Sequence, residues 1–342
     1  MRAIIAGFGT VGQGIAEIIV KERGSIRREF NEGFEVVGVS DSKGAIYDPK
    51  GLDLDLLLKT KGERGTVMLY PGGEKLESSG ELIDLEADLL IEVTPTEVEG
   101  GGVALDNIRR AFKTKKHVVT SNKGPLSLDF KGLDSYAQKN GCLFYYTATV
   151  GGCTRMIEYG RELSKGAEIL SFQGILNGTS NYILSRMADE EAPFELILRE
   201  AQQLGYAERD PSSDVDGIDT ACKLVILANS VMGISATFKD VKIEGIRGIS
   251  EEGVKLAKED GKVIKLVGEI VKEGKRLEVS PRLVPRGHFL DISGTFNIGL
   301  FRTDRAGDVA IVGRGAGKME TASAIFGDLK KILALGGRKL LI

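Results

Sequence analysis

The sequence predicts an α/β protein, a doubly wound parallel sheet with crossover helices joined to a second domain of α+β type. Three observations carry this. Short apolar runs alternate with segments of helical period from the N-terminus to Thr120. A glycine-rich turn separates the first apolar run from the first helix. Beyond Thr149 the pattern changes to longer helices mixed with β-rich stretches. A length of 342 residues also exceeds the size at which one hydrophobic core usually stops growing, which favours two domains.

Arg2 to Ala6 is the first strand, and Val11, Ile15, Ile18 and Ile19 mark the buried face of the helix after the turn. Glu35 to Val39 is a second strand, ending in Ser40-Asp41. Asp88 to Val93 is a third, ending in Thr94-Pro95. Helical Val103 to Phe112 leads to strand His117 to Thr120, which closes on Ser121-Asn122-Lys123-Gly124. The polar, glycine-rich stretch from Gly51 to Ser79 reads as an irregular insertion. After Phe144 to Thr149, Ile169 to Leu176 is β-rich. Val309 to Val312 reads as a strand and Thr321 to Leu335 as a helix.

Hydrophobic residues make up 42% and charged residues 28%, an ordinary globular composition with no disordered or fibrous bias. A formal charge of -3 argues against nucleic acid as the main partner. Cys142, Cys153 and Cys222 show no Cys-x-x-Cys spacing, so neither a zinc site nor a disulfide framework is indicated. The N-terminus lacks the charged and apolar regions of a signal peptide, and no apolar stretch approaches a membrane span. A cytoplasmic protein without a membrane partner is expected.

The turn Gly7-Phe8-Gly9-Thr10-Val11-Gly12 follows a strand and opens a helix, the context in which G-x-G-x-x-G binds a dinucleotide. Glycines supply positive φ, close backbone approach to a pyrophosphate and tight helix packing. The helix start then offers free amides to the phosphates. The pattern predicts a Rossmann-type dinucleotide site, and with it the expectation of a nicotinamide-dependent oxidoreductase. Asp41 closes the second strand, where a carboxylate accepts hydrogen bonds from the ribose of NAD and repels the 2'-phosphate of NADP. Lys43 and Lys59 stand nearby and offset that repulsion, and Asp41 also fits a solvated turn. NAD and NADP both stay open.

A second cluster runs from Gly205 to Asp219, with Glu208, Asp210, Asp214, Asp216 and Asp219 close together. It follows a helix, Pro193 to Leu204, that Gly205 ends as a left-handed cap. An apolar helix, Asp219 to Met232, then carries Lys223 four residues after Asp219, on the same face. One reading is a solvated loop with a lysine snorkelling from the helix edge. The other is a proton carrier in a partly dry site, its ammonium held by Asp219. A calcium loop does not fit the spacing.

The run Ala201-x-x-x-Gly205-Tyr206-Ala207-x-x-Asp210-Pro211-x-x-Asp214-Val215-x-Gly217-x-Asp219-x-x-x-Lys223 resembles the diagnostic motif of homoserine dehydrogenases. The resemblance extends to Gly7–Gly12, Thr120–Lys123, Gly174–Ile183 and Gly313–Gly317, across nearly the whole chain. It implies NAD(P)-dependent interconversion of L-homoserine and L-aspartate 4-semialdehyde, a step of threonine and methionine biosynthesis. By the same resemblance Lys223 and Lys123 flank the reacting oxygen. Glu208 and Asp219 recognise homoserine, Thr179 and Tyr206 line its pocket, and Asp214 supports them. Thr94 and Pro95 lie by the nicotinamide ribose, and Gly315 is a cofactor contact. The order of domains expected is a nucleotide-binding domain over 1–135, a substrate and dimerisation domain over 136–308, and a C-terminal strand and helix over 309–342 returning to the first.

The resemblance implies a structural sodium, which relatives commonly bind through backbone oxygens in the stretch matching Thr147, Val150, Gly152 and Thr154, with a glutamate at the first position and often a proline near the last. Both are threonine here. Arg314 replaces the usual proline of the last glycine-rich turn. A chain ending at Ile342 implies the short form without an amino-acid-sensing domain, and the resemblance implies a homodimer. Two other readings compete: an aldehyde-oxidising dehydrogenase, which needs an activated cysteine, and a dinucleotide sensor without catalysis.

Overall fold

The computed structural model describes residues 1–336. They form two compact units, Met1–Thr149 with the chain from Gly317 onward, and Val150–Ala316. In the first, the order is β1 (Arg2–Ala6), α1 (Thr10–Phe30), β2 (Glu35–Asp41), β3 (Gly44–Tyr47), α2 (Leu54–Arg64), β4 (Glu74–Leu76) and α3 (Ser79–Asp84). There follow β5 (Leu89–Glu92), α4 (Gly102–Lys113), β6 (His117–Thr120), α5 (Lys123–Lys139) and β7 (Phe144–Tyr145).

These strands build a seven-stranded sheet in the order β4-β3-β2-β1-β5-β6-β7. From β2 to β7 the neighbours are parallel, and β3 and β4 add an antiparallel edge. The chain progresses in opposite directions on either side of β1, which places the glycine turn after β1 at the switch point where such sheets bind ligands. Both faces of β1 are covered. Ala3 and Ile5 pack with Ile15 and Ile19 of α1, while Ile4 and Ala6 pack with Ile108 and Phe112 of α4. That two-sided burial explains the unbroken apolar run.

The second unit runs α6 (Met156–Ser164), β8 (Ile169–Ile175), α7 (Gly178–Glu190), α8 (Phe194–Gln203), α9 (Ser212–Val215), α10 (Ile218–Ser230) and β9 (Val241–Ile243). It continues α11 (Glu251–Glu259), β10 (Lys262–Val271), β11 (Arg276–Pro285), β12 (Phe296–Thr303) and β13 (Asp308–Arg314). Its six-stranded sheet, β13-β12-β8-β10-β11-β9, is antiparallel except where β9 joins β11. The last helix, α12 (Lys318–Gly336), belongs to the first unit. Its Ala322, Ile325, Leu329 and Ile332 share a core with Ile15 and Ile19.

Three expectations are corrected. The stretch from Gly51 to Ser79 is not irregular: it contains α2 and β4, with Leu54 and Leu57 buried and Asp53 capping the helix through the Leu56 N–H. The C-terminal strand does not return with α12, because β13 pairs along its whole length with β12 from Phe296–Arg314 to Arg302–Asp308. The first unit also extends past residue 135, since β7 hydrogen-bonds to β6.

Candidate functional site

In the first unit the glycine turn has the geometry a pyrophosphate cradle requires. Gly7 has φ +98° and donates its N–H to the Ser40 carbonyl at 3.1 Å. A Cβ on Gly7 would lie 2.6 Å from the Val93 carbonyl oxygen, and one on Gly12 only 2.1 Å from that of Gly7. At Gly9 the opposite holds, for a Cβ there meets none of the described residues within 4 Å. Gly9 is also the N-cap of α1 and lends it no side-chain hydrogen bond, and the first turn carries no acidic residue. The amides of the Thr10–Gly12 turn are therefore available to an anion, backed by the helix dipole. Phe8 is fully buried, so its contribution is backbone, while Thr10 is exposed.

Thr94 and Pro95 follow β5, whose last residue, Glu92, is fully buried. Its carboxyl accepts the Thr94 N–H at 2.8 Å, bonds the Thr94 hydroxyl, and accepts the Asn107 amide at 2.8 Å. Burial pushes the Glu92 carboxyl up, against the lowering effect of those bonds. Asn122 adds a second clamp, donating to the carbonyls of Thr94 at 3.0 Å and Pro95 at 3.1 Å, and its Oδ1 caps α5 through the Gly124 N–H. Lys123 is the first residue of that helix. Thr94, Pro95 and Lys123 are thus brought to one rim by Glu92 and Asn122, residues to which the sequence reading assigned no role. An acid ending an otherwise apolar strand was the available signal.

Asp41 departs from expectation. Its side chain is only 3% exposed, and both oxygens are engaged internally. Oδ1 accepts the Lys43 N–H at 2.8 Å and the Thr66 hydroxyl at 3.3 Å. Oδ2 accepts the Val67 N–H at 2.9 Å and pairs with Lys61 at 2.6 Å. Burial pushes this carboxyl up, but the Lys61 ammonium and the two amides together hold it below its ordinary value. A carboxylate so occupied has no lone pair left for a ribose hydroxyl. The exposed residues after β2 are Ser42 and Lys43.

In the second unit Lys223 lies on α10, 6% exposed, with its Nζ 2.5 Å from Asp219 Oδ2 and 2.6 Å from the Leu176 carbonyl oxygen. Asn177, the N-cap of α7, bridges the acidic cluster: its Nδ2 donates to Asp214 at 2.6 Å and to Asp219 at 3.0 Å. Burial, then the negative charge of Asp219, raises the Asp214 carboxyl, opposed by Asn177 and Lys223. The Thr179 hydroxyl donates to the Tyr206 carbonyl at 2.7 Å, tying the loop after α8 to α7. Tyr206 is 47% exposed and rests on the Tyr182 ring, and Glu208 is exposed on the same loop. Carboxylates beside a lysine with one N–H direction still open suit a small zwitterion whose hydroxyl gives up a proton. Asn177 is a member of this site to which no role was assigned from sequence.

The stretch from Thr147 to Thr154 holds two short 3-10 turns. Thr147 donates its N–H and hydroxyl to the buried Asp328 carboxylate, at 3.0 and 2.8 Å. The Thr154 hydroxyl donates to the Gly151 carbonyl at 2.7 Å, and Val150 is fully buried. Among the described residues no three His, Cys, Asp or Glu side chains cluster as metal ligands. Cys142 and Cys222 are buried, and burial pushes the Cys142 thiol up, away from an activated thiolate.

Comparison with known proteins agrees with this geometry. The family model for homoserine dehydrogenase matches residues 156–329, and that for glutamate/leucine/phenylalanine/valine dehydrogenase matches residues 1–119. The homoserine dehydrogenase of Methanocaldococcus jannaschii is 47% identical over 96% of this chain and 97% of its own length. An NAD(+)-dependent homoserine dehydrogenase of Pseudomonas canavaninivorans is 34% identical, over 99% of this chain and 97% of its own. Among solved structures, an Archaeoglobus fulgidus chain assigned as a homoserine dehydrogenase superposes with a TM-score of 0.89 at 46% identity, covering 97% of this chain and 99% of that one. A hyperthermophilic archaeal homoserine dehydrogenase in complex with NADPH gives 0.85 at 28% identity, covering 98% of each chain. With a two-sheet α/β architecture, a dinucleotide turn, a lysine and carboxylate cluster and relatives matched end to end, the chain belongs to the homoserine dehydrogenase family, NAD(P)-dependent oxidoreductases that act on a hydroxyl group.

Proposed function

We propose that this chain interconverts L-homoserine and L-aspartate 4-semialdehyde. The observation that carries the reading is the Lys223 ammonium, buried and held at once by Asp219 and the Leu176 carbonyl. NAD or NADP, bound at the glycine turn, supplies the hydride acceptor or donor. In oxidation the hydroxyl proton passes to a lysine amine as the carbon-bound hydrogen leaves with its electron pair. In reduction the ammonium returns the proton to the carbonyl oxygen. Lys223 and Lys123 are assigned to the reacting oxygen. Glu208, Asp214, Asp219, Thr179 and Tyr206 are assigned to the amino acid. The turn Gly7–Gly12, Thr94, Pro95 and Gly315 are assigned to the dinucleotide. The test is absorbance of the reduced nicotinamide with L-homoserine and each cofactor, for wild type and Lys223→Ala. Turnover by the wild type and its loss in the variant is expected, and full turnover by the variant would overturn the assignment.

The reading includes a homodimer built through the second sheet, supported by apolar side chains left exposed there, Leu283, Phe296 and Val312. Sedimentation equilibrium measures it. A cytoplasmic location is supported by three cysteines that form no disulfide and by the absence, among the described residues, of any helix long and apolar enough to cross a membrane. Sodium on the backbone oxygens of Thr147, Val150, Gly152 and Thr154 rests on the family pattern alone, and a melting temperature that differs between sodium and potassium buffers is its test.

A further inference from the structure

We propose that Asn297 is a positioning residue for Lys223, acting through the main-chain carbonyl of Leu176. The inference rests on the reading of Lys223 as the proton carrier. Ile298 on β12 pairs with Ile175 on β8, so the antiparallel register sets Asn297 beside Leu176. The Asn297 Nδ2 donates to the Leu176 carbonyl oxygen at 2.8 Å, the oxygen that also accepts from Lys223 Nζ at 2.6 Å. A carbonyl has two lone pairs, and here one holds the lysine while the other is held by the amide. The oxygen is pinned from two sides, and the direction of the Lys223 ammonium is set with it.

The orientation of the amide follows from this contact, since turning it over would set Asn297 Oδ1 against another acceptor. Held as it is, Oδ1 is buried and has no partner among the described residues, and Asn297 is 1% exposed. Buried acceptors without partners are uncommon because they are destabilising. An aliphatic side chain would avoid that cost but would donate nothing to Leu176. The donor is what the position supplies. Gly315 is part of the same arrangement, because a Cβ on it would lie 1.9 Å from Asn297 Nδ2 and 2.3 Å from its Cγ. The glycine of the Gly313–Gly317 turn leaves the space in which this amide sits.

The test compares wild type, Asn297→Ala and Asn297→Asp in homoserine oxidation across pH, with melting temperatures. Asn297→Ala leaves the Leu176 carbonyl to the ammonium alone, and kcat is expected to fall about tenfold with both KM values nearly unchanged, because misplacement of a reacting group acts on the chemical step. Asn297→Asp keeps the shape. Its neutral acid can donate to Leu176 as the amide does, and its carboxylate cannot, so the variant's kcat relative to wild type is expected to approach one at acid pH and to fall as the carboxyl ionises. If the alanine variant does not fold, the aspartate variant decides alone. A kcat ratio independent of pH in Asn297→Asp, whether or not the melting temperature drops, would overturn the proposal. An active wild type with unchanged variants sinks this inference alone, whereas a wild type inactive with both cofactors sinks the functional reading as well.

Discussion

Lys61 of α2 and Asp41 at the end of β2 form a buried ion pair at 2.6 Å, which turns inward the carboxylate that the sequence predicts at the adenosine ribose. With the charge neutralised and Lys43 exposed beyond it, this chain is expected to turn over NADP as well as NAD. Lys61→Met leaves the buried carboxylate without its cation, which costs on the order of 3 kcal/mol and is expected to lower kcat/KM for NADP relative to NAD. The folded Asp41 carboxyl lies below its ordinary value, so the pair's contribution is present above the unfolded pKa and is lost as pH falls through the folded one. Urea melts at neutral and acid pH check this, since the stability gap between wild type and variant should narrow on acidification.

Gly9 and Gly12 are expected to behave oppositely on substitution by alanine. In Gly12→Ala the new methyl meets the Gly7 carbonyl, backbone that cannot yield, and both melting temperature and cofactor affinity should fall. In Gly9→Ala the new methyl touches none of the described residues, so stability should hold. Cofactor affinity should still drop by roughly tenfold if, as proposed, the pyrophosphate approaches through that open space. Fluorescence titration with reduced nicotinamide cofactors and thermal melts separate the two.

Asn177→Ala removes the cap of α7 and the bridge between Asp214 and Asp219. Losing the cap alone is expected to cost about 1 kcal/mol. Asp214, already raised by burial and by Asp219, loses a bond that favours its ionised form and stays neutral to higher pH. The rise in homoserine KM on acidification is therefore expected at higher pH than in wild type. An unchanged pH profile would remove Asp214 from the site.

Lys265, 2% exposed on β10, donates to Asn181, Ser185 and the Ile292 carbonyl, none of them charged. Burial brings its pKa down to about 8. The folded state then releases a proton that the unfolded state still holds, so stability rises with pH from about 8 toward the ordinary lysine value of 10.5. Wild type is expected to gain about 3 kcal/mol over that window relative to Lys265→Met, at 1.36 kcal/mol per unit. Denaturant melts at stepped pH measure it, and parallel curves for the two proteins would refute it.

Legibility from sequence followed the range of the interactions. The glycine turn could be read because positive φ and close approach demand glycine at fixed places, and Asp219 with Lys223 because a helix sets residues four apart on one face. The burial of Asp41 is not legible because its partner Lys61 stands twenty residues on, in a helix whose period the short segment around Gly62 hides. Glu92, Asn177 and Asn297 drew no assignment for the same reason: Asn107, Asp214 and Leu176 reach them only through tertiary packing. The strand Val309 to Val312 is legible in its own residues, but the choice of sheet belongs to its neighbour β12.

The packing of α12 on α1 has a consequence in time. Ribosomal synthesis delivers Val150–Ala316 whole before Ala322, Ile325, Leu329 and Ile332 emerge, so the inserted unit can close its core while α1 still carries an uncovered apolar stripe. The helix whose head is proposed to receive the phosphates is thus buttressed only after the inserted unit is complete. Competence to capture the dinucleotide is expected only once Ala322 to Ile332 have emerged and packed on α1, and nascent chains halted before Ala322 should be unable to retain it.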